Sequence, residues 1–453
     1  MLYNSFLSIT YSLMSLLSSI SFTYNTINKL IFNPYDKEKN ITIGDGKNLR
    51  VGILSDSQLT YGENDKTYPF SYDHLIRSFE VMKDNNINVL IFAGDEGQAG
   101  TTYAFNLFKK AIDKVWPNKD ERPIFNFIMG NHDYKYNLFL PSYHQKKFYE
   151  IIGEKPFSHK IINGYHFINW GHCDLSMQTS NNNYLWVERE IKKAIKSDDK
   201  KPIFVTTHVN AKGTVYGSDR WGNNIIKSVL DQFKQVIHFS GHSHFSLIDE
   251  RSIWQGQFTA IQTQGTCYIE LEKGKENGSK PLNEFNEPLP QRLNYMGLIM
   301  DVNNDKVIVK RISLEKNKFY GNDWIIDIPI SEDKFRYKEG MREKYIKAPW
   351  FEKNEVNVKQ VVKDNKKFNH IHFIQAKHDN FVHSYKLVFN KNGKKKEYLY
   401  FSDFFLLPED RKNDITLKLN DKLEGDYEVE IYAIESFGKE SKPIKANVTI
   451  PKL

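Results

Sequence analysis

The segment Val51–Gln58, with the sequence VGILSDSQ, joins an apolar run to a polar end. The run Val51–Leu54 predicts a buried β-strand, and Asp56 and Gln58 follow directly after it. Residues i and i+2 of an extended chain lie on the same side, so these two side chains can point at one object. The segment therefore raises the hypothesis of a metal ion at the end of a strand.

Four further apolar runs end in the same way, and each follows a stretch with helical spacing. The strand-like runs are 88–93, 123–129, 202–207 and 235–240, and the helical stretches before them are Leu75–Met82, Phe105–Val115, Leu185–Ile195 and Ile225–Phe233. The polar motifs after the runs are Gly94-Asp95, Gly130-Asn131-His132-Asp133, His208 and Gly241-His242-Ser243-His244. This helix-then-strand rhythm predicts an α/β domain with buried sheet strands.

The polar motifs together predict a metal site. Ligands in open α/β sheets gather at the carboxyl ends of the strands, where these motifs fall. Mixed oxygen and nitrogen donors suit Mn, Fe or Zn better than Ca or Mg. Taken singly, His208 is more often a structural histidine, and Gly94-Asp95 is compatible with a simple turn. All five motifs, each after a buried strand, favour the metal site.

The order of these motifs resembles that of the calcineurin-like metallophosphoesterase superfamily, D-x-[H/Q], G-D, G-N-H-[D/E], H and G-H-x-H. The resemblance runs from Val51 to about His244 and implies an α/β domain over residues 40–345, a sandwich of two mixed β-sheets flanked by helices. It implies two divalent transition metal ions, Mn, Fe or Zn, that share a bridging hydroxide.

The resemblance also implies a role for each matching residue. One ion would be held by Asp56, Gln58, Asp95 and His244, and the other by Asp95, Asn131, His208 and His242. His132 would face the substrate as a proton donor, and Asp133 would orient it.

At three positions this sequence differs from patterns found within the superfamily, and these differences narrow the choice of subfamily and metal. The commoner first motif has His where this chain has Gln58, and a carboxamide oxygen is a poorer donor to borderline metals, which favours Mn at that position. Purple acid phosphatases need a tyrosine soon after the Gly-Asp motif, but Glu96-Gly97-Gln98 offers none. Tyr134 after Asp133 also departs from the pattern of protein serine/threonine phosphatases.

The predicted function is hydrolysis of a phosphomonoester or, with a slight preference, a phosphodiester. Two alternatives stay open, a catalytically inactive binding protein on the same fold and a nuclease of the same superfamily. A nuclease should carry a clustered basic stripe, whereas the net charge of +7 comes from 63 basic and 56 acidic residues spread along the chain. No clear nucleic-acid partner is indicated.

Aromatic residues near the motifs are interpreted as covers of the core edge rather than as pocket residues. They are Tyr61, Tyr134, His172 and Trp221. Arg251–Gln255 is likewise interpreted as a packing strand.

Beyond the last motif the pattern becomes strand-rich. The runs 268–271, 296–302 and 306–312 predict antiparallel strands that complete the first domain, and a polar segment over 331–347 follows. Residues 351–453 predict an all-β immunoglobulin- or fibronectin-like sandwich, with strands near 371–376, 385–389, 398–401, 415–419 and 427–433. Leu423–Ser441 resembles the F strand and F–G loop of a fibronectin type III domain, which implies that Tyr427 ties a turn to its strand and that this domain contacts carbohydrate or protein.

The N-terminus and the cysteines leave the compartment open. Residues 1–30 form either a signal peptide or anchor, or an amphipathic or disordered leader, since the segment is apolar but lacks a basic start. The protein would be secreted or membrane-associated if this segment acts as a signal, and cytoplasmic otherwise. Cys173 and Cys267 are interpreted as buried thiols rather than as a disulfide.

Overall fold

The structure is a computed structural model that describes residues 32–135, 140–172, 181–289 and 294–453. The predicted leader and Cys173 lie outside these ranges, and Cys267 is a buried free thiol. Across the described ranges, no helix combines the length and the apolar character that a membrane span requires.

From β2 to β8 most strands are followed by a helix, as the rhythm of the sequence predicts. In chain order the elements before residue 331 are β1 (Lys39–Ile41), β2 (Leu49–Leu54), α1 (Ser71–Asp84), β3 (Val89–Ala93), α2 (Thr102–Val115), β4 (Ile124–Ile128), α3 (Pro141–Ile152), β5 (Phe157–Ile162), β6 (Tyr165–Trp170), α4 (Asn181–Ser197), β7 (Ile203–Thr207), α5 (Ser218–Trp221), α6 (Asn224–Leu230), β8 (Val236–Ser240), β9 (Ile253–Gln255), β10 (Thr259–Gln262), β11 (Met296–Val302), β12 (Lys306–Ser313) and β13 (Lys318–Asp327). Short 3-10 turns occupy Lys119–Glu121, His132–Tyr134 and Glu250–Ser252.

These strands form two mixed sheets. The seven-stranded sheet has the order β1-β5-β6-β7-β8-β10-β9, and the six-stranded sheet has the order β13-β12-β11-β2-β3-β4. Strands β2, β3 and β4 run parallel, and so do β6, β7, β8 and β10. Parallel neighbours end at the same edge, so the polar motifs after these strands are brought to one side of the molecule.

The two sheets pack face to face, with helices on both outer sides. Ile53 points into the core between the sheets, whereas the next residue, Leu54, points outward to the core under α1, α2 and α3. In the other sheet Phe204 faces inward and Val205 faces α4 and α6. Because successive strand residues alternate between faces, strands buried on both sides need continuous apolar runs, as this sequence has.

The helices begin and end where local chemistry allows. Helix α2 starts after Thr101, whose hydroxyl accepts a hydrogen bond from the backbone N–H of Ala104 at 3.2 Å. Helix α6 starts after Asn223, whose side chain accepts from Ile225 and Ile226. Helix α3 begins with Pro141 and stops at Gly153, which has a left-handed φ of 89°.

One predicted strand of this region does not form. Tyr268–Leu271 lies outside the named strands and makes only an isolated bridge between Phe245 and Glu270. Tyr268 instead stacks on the ring of His244, with centroids 4.1 Å apart, so this segment lines the site. Strands β11 and β12 form as predicted.

Residues after 331 build a linker and two antiparallel sheets. The elements are a 3-10 turn at Glu332–Lys334, α7 (Arg342–Tyr345), β14 (Val356–Lys363), β15 (Lys366–Ile374), β16 (Ser384–Lys391), β17 (Lys394–Phe401), a 3-10 turn at Pro408–Asp410, β18 (Asp414–Lys418), β19 (Gly425–Ile434) and β20 (Ile444–Ile450). The sheets have the orders β14-β15-β18 and β17-β16-β19-β20, and they share one apolar core.

The fibronectin type III assignment remains a prediction. Tyr427 is buried, but its ring packs edge-on against Phe389 at 5.7 Å, and within the described residues no hydrogen bond ties its hydroxyl to a turn. The all-β character of residues 351–453 is nevertheless plain, since strands 14 to 20 are all antiparallel.

Candidate metal centre

The five polar motifs meet at the carboxyl edge of the two sheets. Asp56 and Gln58 follow β2, Asp95 follows β3, Asn131 follows β4, His208 follows β7, and His242 and His244 follow β8. Backbone hydrogen bonds join the first two loops, from the N–H of Asp56 to the carbonyl of Gly94 at 2.9 Å and from the N–H of Gln58 to that of Asp95 at 3.1 Å. The structure therefore brings together all seven residues that were predicted from the sequence as metal ligands.

One half of the cluster contains Asp56, Gln58 and His244. The Nε2 atom of His244 lies 3.1 Å from Oδ1 of Asp56, and both side chains are buried. The Nε2 atom of Gln58 donates to Oδ2 of Asp95 at 2.8 Å. The other nitrogen of His244 contacts the carbonyl of Tyr268 at 3.2 Å, so Nδ1 carries the proton and Nε2 faces the cluster.

The other half contains Asn131, His208 and His242. The Nε2 atom of His208 lies 3.1 Å from Oδ1 of Asn131 and 3.3 Å from Oδ2 of Asp95. Its Nδ1 donates to the carbonyl of Ala93 at 2.8 Å, which turns Nε2 toward the carboxylates. The rings of His208 and His242 have centroids 5.0 Å apart.

Asp95 lies between the two halves. Its Oδ2 contacts both Gln58 and His208, and its Oδ1 accepts from the backbone N–H of His132 at 2.9 Å. One ligand atom each from Asp56, Asp95 and His208 lies within 4.8 Å of the others. This central position is the one that a carboxylate shared by two ions requires.

Strained backbone accompanies the cluster. Positive φ angles occur at five of the seven residues, Asp56 (57°), Gln58 (47°), Asp95 (58°), His242 (70°) and His244 (56°). A left-handed backbone conformation costs a residue with a Cβ on the order of 1–3 kcal/mol. Such residues therefore persist only where the surrounding structure holds them. The strain aims each side chain into the cluster just after its strand ends.

Two motif glycines permit the close approach of the loops. A Cβ on Gly130 would lie 2.1 Å from Oδ1 of Asp95. A Cβ on Gly94, which has a φ of 88°, would lie 2.6 Å from the backbone N of Gly130 and 2.9 Å from Nδ1 of His208. The glycines of both motifs are therefore explained by packing around Asp95.

Burial and mutual contact shift the pKa values of the cluster. Burial acts to raise the pKa of Asp95, but His208 and His132 outweigh it and hold the pKa well below its ordinary range. Burial acts to lower the pKa of His208, but Asp95 and then Asp56 raise it to about 9. Burial, reinforced by His208, lowers the pKa of His242 to about 3. At neutral pH the cluster thus has an ionised Asp95 and a neutral His242, but a protonated His208 that must lose its proton before it can bind a metal.

His132 and Asp133 have separate surroundings. The Nδ1 atom of half-buried His132 lies 3.2 Å from the carbonyl of Gln98, so that carbonyl orients the ring. Among the described residues no hydrogen bond links Asp133 to His132, so the expected orienting role of Asp133 stays a prediction. The carboxylate of Asp133 instead accepts from the backbone N–H groups of Asp95 at 3.0 Å, Gly97 at 3.0 Å and Gly130 at 2.8 Å. It fixes the two loops that carry Asp95 and Asn131, because both are bonded to one side chain.

Glu96 is a buried acid that the sequence interpretation did not single out. Burial, together with the neighbouring Asp133 carboxylate, raises the pKa of Glu96 well above its ordinary value. Burial, opposed by a hydrogen bond from Glu96, raises the pKa of Asp133 to about 6. A protonated Glu96 beside Asp133 fits both shifts. Its position next to Asp95 in the Gly-Asp motif was the available signal.

The residues fit a pair of metal ions. Within the described residues, Oε1 of Gln58 and Nε2 of His242 are buried atoms without a hydrogen-bond partner. A buried acceptor that has neither a hydrogen-bond donor nor a metal ion beside it costs roughly 1–3 kcal/mol. Both atoms belong to the cluster, and with the carboxylates and the other imidazoles they form a mixed oxygen and nitrogen donor set that suits Mn, Fe or Zn.

The aromatic residues near the motifs differ in position. Trp221 sets its ring edge-on to His242 with centroids 5.5 Å apart, and His172 lies edge-on to His208 at 6.3 Å. Tyr134 is buried and its hydroxyl donates to the carbonyl of His172 at 2.7 Å, whereas Tyr61 is 47% exposed. Trp221 and His172 thus border the cluster, a proximity that no local pattern in the sequence indicates.

Comparison with known proteins agrees with this geometry. Residues 49–246 match the family model described as calcineurin-like phosphoesterase. The matched range includes all seven clustered residues and ends two positions after His244. No curated protein matches the chain.

Several solved structures are similar at low identity. A dimetal phosphatase from Danio rerio is 13% identical with a TM-score of 0.41, over 62% of this chain and 98% of that chain. GAP50 from Plasmodium, described as the anchor in the inner membrane complex, is 13% identical with a TM-score of 0.41, over 66% and 94%. The purple acid phosphatase PPD1 from yellow lupin is 11% identical with a TM-score of 0.40, over 62% and 54%.

Proposed function

We propose that this protein is a binuclear metal-dependent phosphoesterase that hydrolyses a phosphodiester or a phosphomonoester. One observation carries the proposal. Seven side chains from five separate strand ends converge in one buried cluster around Asp95, and two of their acceptor atoms have no protein partner among the described residues. Both atoms carry lone pairs that a metal ion would take up.

In this proposal each ion has four protein ligands. Asp56, Gln58, Asp95 and His244 would hold one ion, and Asp95, Asn131, His208 and His242 would hold the other. Two bound cations would supply a nucleophile at neutral pH and neutralise charge on the phosphoryl oxygens. Phosphoryl transfer needs positioning and charge neutralisation more than covalent chemistry from the protein.

His132 is the proposed proton donor to the leaving oxygen. A carbonyl can only accept, so the contact with Gln98 places a hydrogen on Nδ1 of His132. Its Nε2 is then the ring atom left for the substrate, and it donates when the ring is protonated. Its backbone N–H is anchored on Asp95, which fixes the ring beside the metal centre.

The test separates chemistry from metal binding. Purified protein with Mn²⁺ is expected to hydrolyse p-nitrophenyl phosphate or bis(p-nitrophenyl) phosphate. His132→Ala should lower kcat on the order of a hundredfold or more and leave the metal content unchanged, because a general acid contributes about 10²–10⁴ in rate. Asp95→Asn should reduce the metal content measured by elemental analysis, because Asp95 is the shared ligand.

His378→Ala is a matched control, since His378 lies in the C-terminal region and contacts the carbonyl of Lys347. It should keep both metal and activity. Protein that holds two metal ions per chain but hydrolyses neither ester nor any of a wider phosphoester panel would overturn the proposal and favour a binding protein on this fold.

A further inference from the structure

We propose that the C-terminal sandwich positions the loop that borders the metal centre, and that it does so through His383. The loop is defined as residues 209–222, and His383 and Tyr216 are the positioning residues. The catalytic side of this inference rests on the proposed function, whereas its conformational side can be tested on its own.

The 209–222 loop touches both histidines proposed to bind the same ion. It begins directly after His208, and its last turn, α5, carries Trp221 against the ring of His242. The Nδ2 atom of Asn210 donates to the hydroxyl of Ser240 at 2.8 Å, which ties the start of the loop to the end of β8. The conformation of this loop therefore determines what stands beside one half of the cluster.

Tyr216 is the centre of the loop. Its ring packs against Phe245, the residue after His244, with centroids 4.6 Å apart. The guanidinium of Arg251 lies 4.0 Å from the ring centroid on Tyr216, and the backbone N–H of Tyr216 donates to the carbonyl of Arg251 at 2.9 Å. Arg251 is itself paired with Asp249 at 2.7 Å. The ring is thus held by groups of the α/β region, and its hydroxyl lies at the border with the sandwich, near both Glu272 and His383.

That hydroxyl meets the C-terminal sandwich. It lies 3.3 Å from Nε2 of His383, the residue before β16, and the same nitrogen is 4.0 Å from Oδ2 of Asp249. His383 is only 4% exposed. Burial lowers its pKa to about 4, so the ring is neutral at pH 7 and acts as a hydrogen-bonding group.

His383 is fixed from its own side. Its backbone N–H donates to the carbonyl of Ile434 at 2.8 Å, and its carbonyl accepts from Ser402 at 3.1 Å. Its ring packs on Phe404 with centroids 4.6 Å apart. His383, held by these contacts directly before β16, therefore supports the hydroxyl of a loop that belongs to the other region, as a positioning contact requires.

The experiment measures the loop directly by limited proteolysis with trypsin. Lys212 and Arg220 are exposed and lie within the loop, so cleavage after either residue reports its opening. Full-length His383→Leu and Tyr216→Phe are expected to be cut at these two positions about tenfold faster than the wild type, the factor that corresponds to one lost hydrogen bond. Cleavage elsewhere should be unchanged.

A matched control keeps the assay specific. His372→Leu removes a half-buried histidine of the same sandwich that bonds to Thr416. It should leave loop cleavage at the wild-type rate. Tyr216→Phe deletes only one oxygen, so it tests the contact even where His383→Leu does not fold.

The kinetic readout uses the esters of the proposed function. Both variants should lower kcat/KM by about tenfold, and the double variant should be no worse than either single one if the two residues act through one contact. Loop cleavage and kinetic constants that stay within about twofold of the wild type in both single variants would overturn the inference. If the wild type hydrolyses no ester, the proposed function fails. The proteolysis result still decides whether His383 and Tyr216 position the 209–222 loop.

Discussion

Gln58 is the residue that most distinguishes this centre from the common pattern. The backbone of Gln58 is left-handed, with a φ of 47°. Its side-chain nitrogen donates a hydrogen bond to Asp95, and its side-chain oxygen is buried without a partner among the described residues. An oxygen donor at this position favours a harder metal than an imidazole does. The identity of one side chain is thus expected to set the metal preference of the site.

Replacing Gln58 by His tests this expectation. Gln58→His should shift the preference from Mn²⁺ toward Zn²⁺ by about tenfold, because imidazole is the better donor to zinc. Competition between the two ions, read by elemental analysis of the protein, measures the shift. Gln232→His places an imidazole on the exposed surface and should change nothing. An unchanged ratio in Gln58→His would mean that this position does not control the metal.

His208 links metal binding to pH. In the metal-free protein the Asp95 and Asp56 carboxylates outweigh burial and raise the pKa of His208 to about 9, so the ring is protonated at pH 7. A ligand imidazole must be neutral, so binding has to release that proton. Affinity for Mn²⁺ should therefore rise with pH by about one decade per unit up to pH 9 and flatten above it.

Calorimetric titration in two buffers of different ionisation enthalpy counts the released protons. At pH 7 the wild type should release at least one, and His208→Asn should release one fewer. Binding without any proton release at pH 7 would contradict the assignment of His208 as a ligand.

At the scale of the elements, each strand delivers its ligand through a tight loop. The loops after β3 and β4 approach so closely that Asp95 lies against the backbone of Gly130, and Asp133 bonds to both loops. Such contact requires a position without a Cβ. The Gly-Asp and Gly-Asn motifs are thus one packing unit rather than two independent signals.

Gly130→Ala should break this unit. Its Cβ would lie 2.1 Å from Oδ1 of Asp95, so the shared carboxylate has to move. Bound metal is expected to fall below one ion per chain, with a loss of activity, and far-ultraviolet circular dichroism should keep the wild-type shape. Gly62→Ala, where nothing lies within 4 Å of the new Cβ, is the control. Full metal content in Gly130→Ala would show that the loops are not packed this tightly.

At the scale of the whole molecule, the C-terminal region shares a core with the α/β region. Phe381, Phe404 and Phe405 belong to the same buried cluster as Ile53 and Phe204 between the two mixed sheets. Polar contacts support this junction, since Asn294 donates to the carbonyl of Phe405 at 2.8 Å and Asn277 pairs with the backbone of Phe401. The two regions are therefore expected to unfold together.

Phe404→Ala tests that coupling. Six of the seven tryptophans lie at or before residue 324, and the seventh, Trp350, pairs with Lys377, so tryptophan fluorescence reports mainly on the region before the C-terminal sandwich. Removing a buried phenylalanine costs about 3–5 kcal/mol, and the urea midpoint seen by tryptophan should fall although residue 404 is in the other region. Val362→Ala, at a side chain that is 66% exposed, should leave the midpoint unchanged. An unchanged midpoint in Phe404→Ala would show that the regions unfold independently.

The sequence alone determined the parts of the site that are local. A buried strand needs a continuous apolar run, and a ligand at its end needs a polar residue immediately after it, so β2, β3, β4, β7 and β8 and the seven ligand candidates could be read from neighbouring residues. Strands without such a motif, such as β5, β6 and β14, were not predicted, because their pairing depends on distant partners.

Tertiary structure alone decided how these parts act together. The proximity of Trp221 to His242, the bonds of Asp133 to two loops and the contact of His383 with Tyr216 all join residues far apart in the chain. Tyr268, predicted in a strand, instead stacks on His244 and lines the site. Local spacing reveals which residues end a strand, but only the packing of the two sheets and the sandwich decides what they touch.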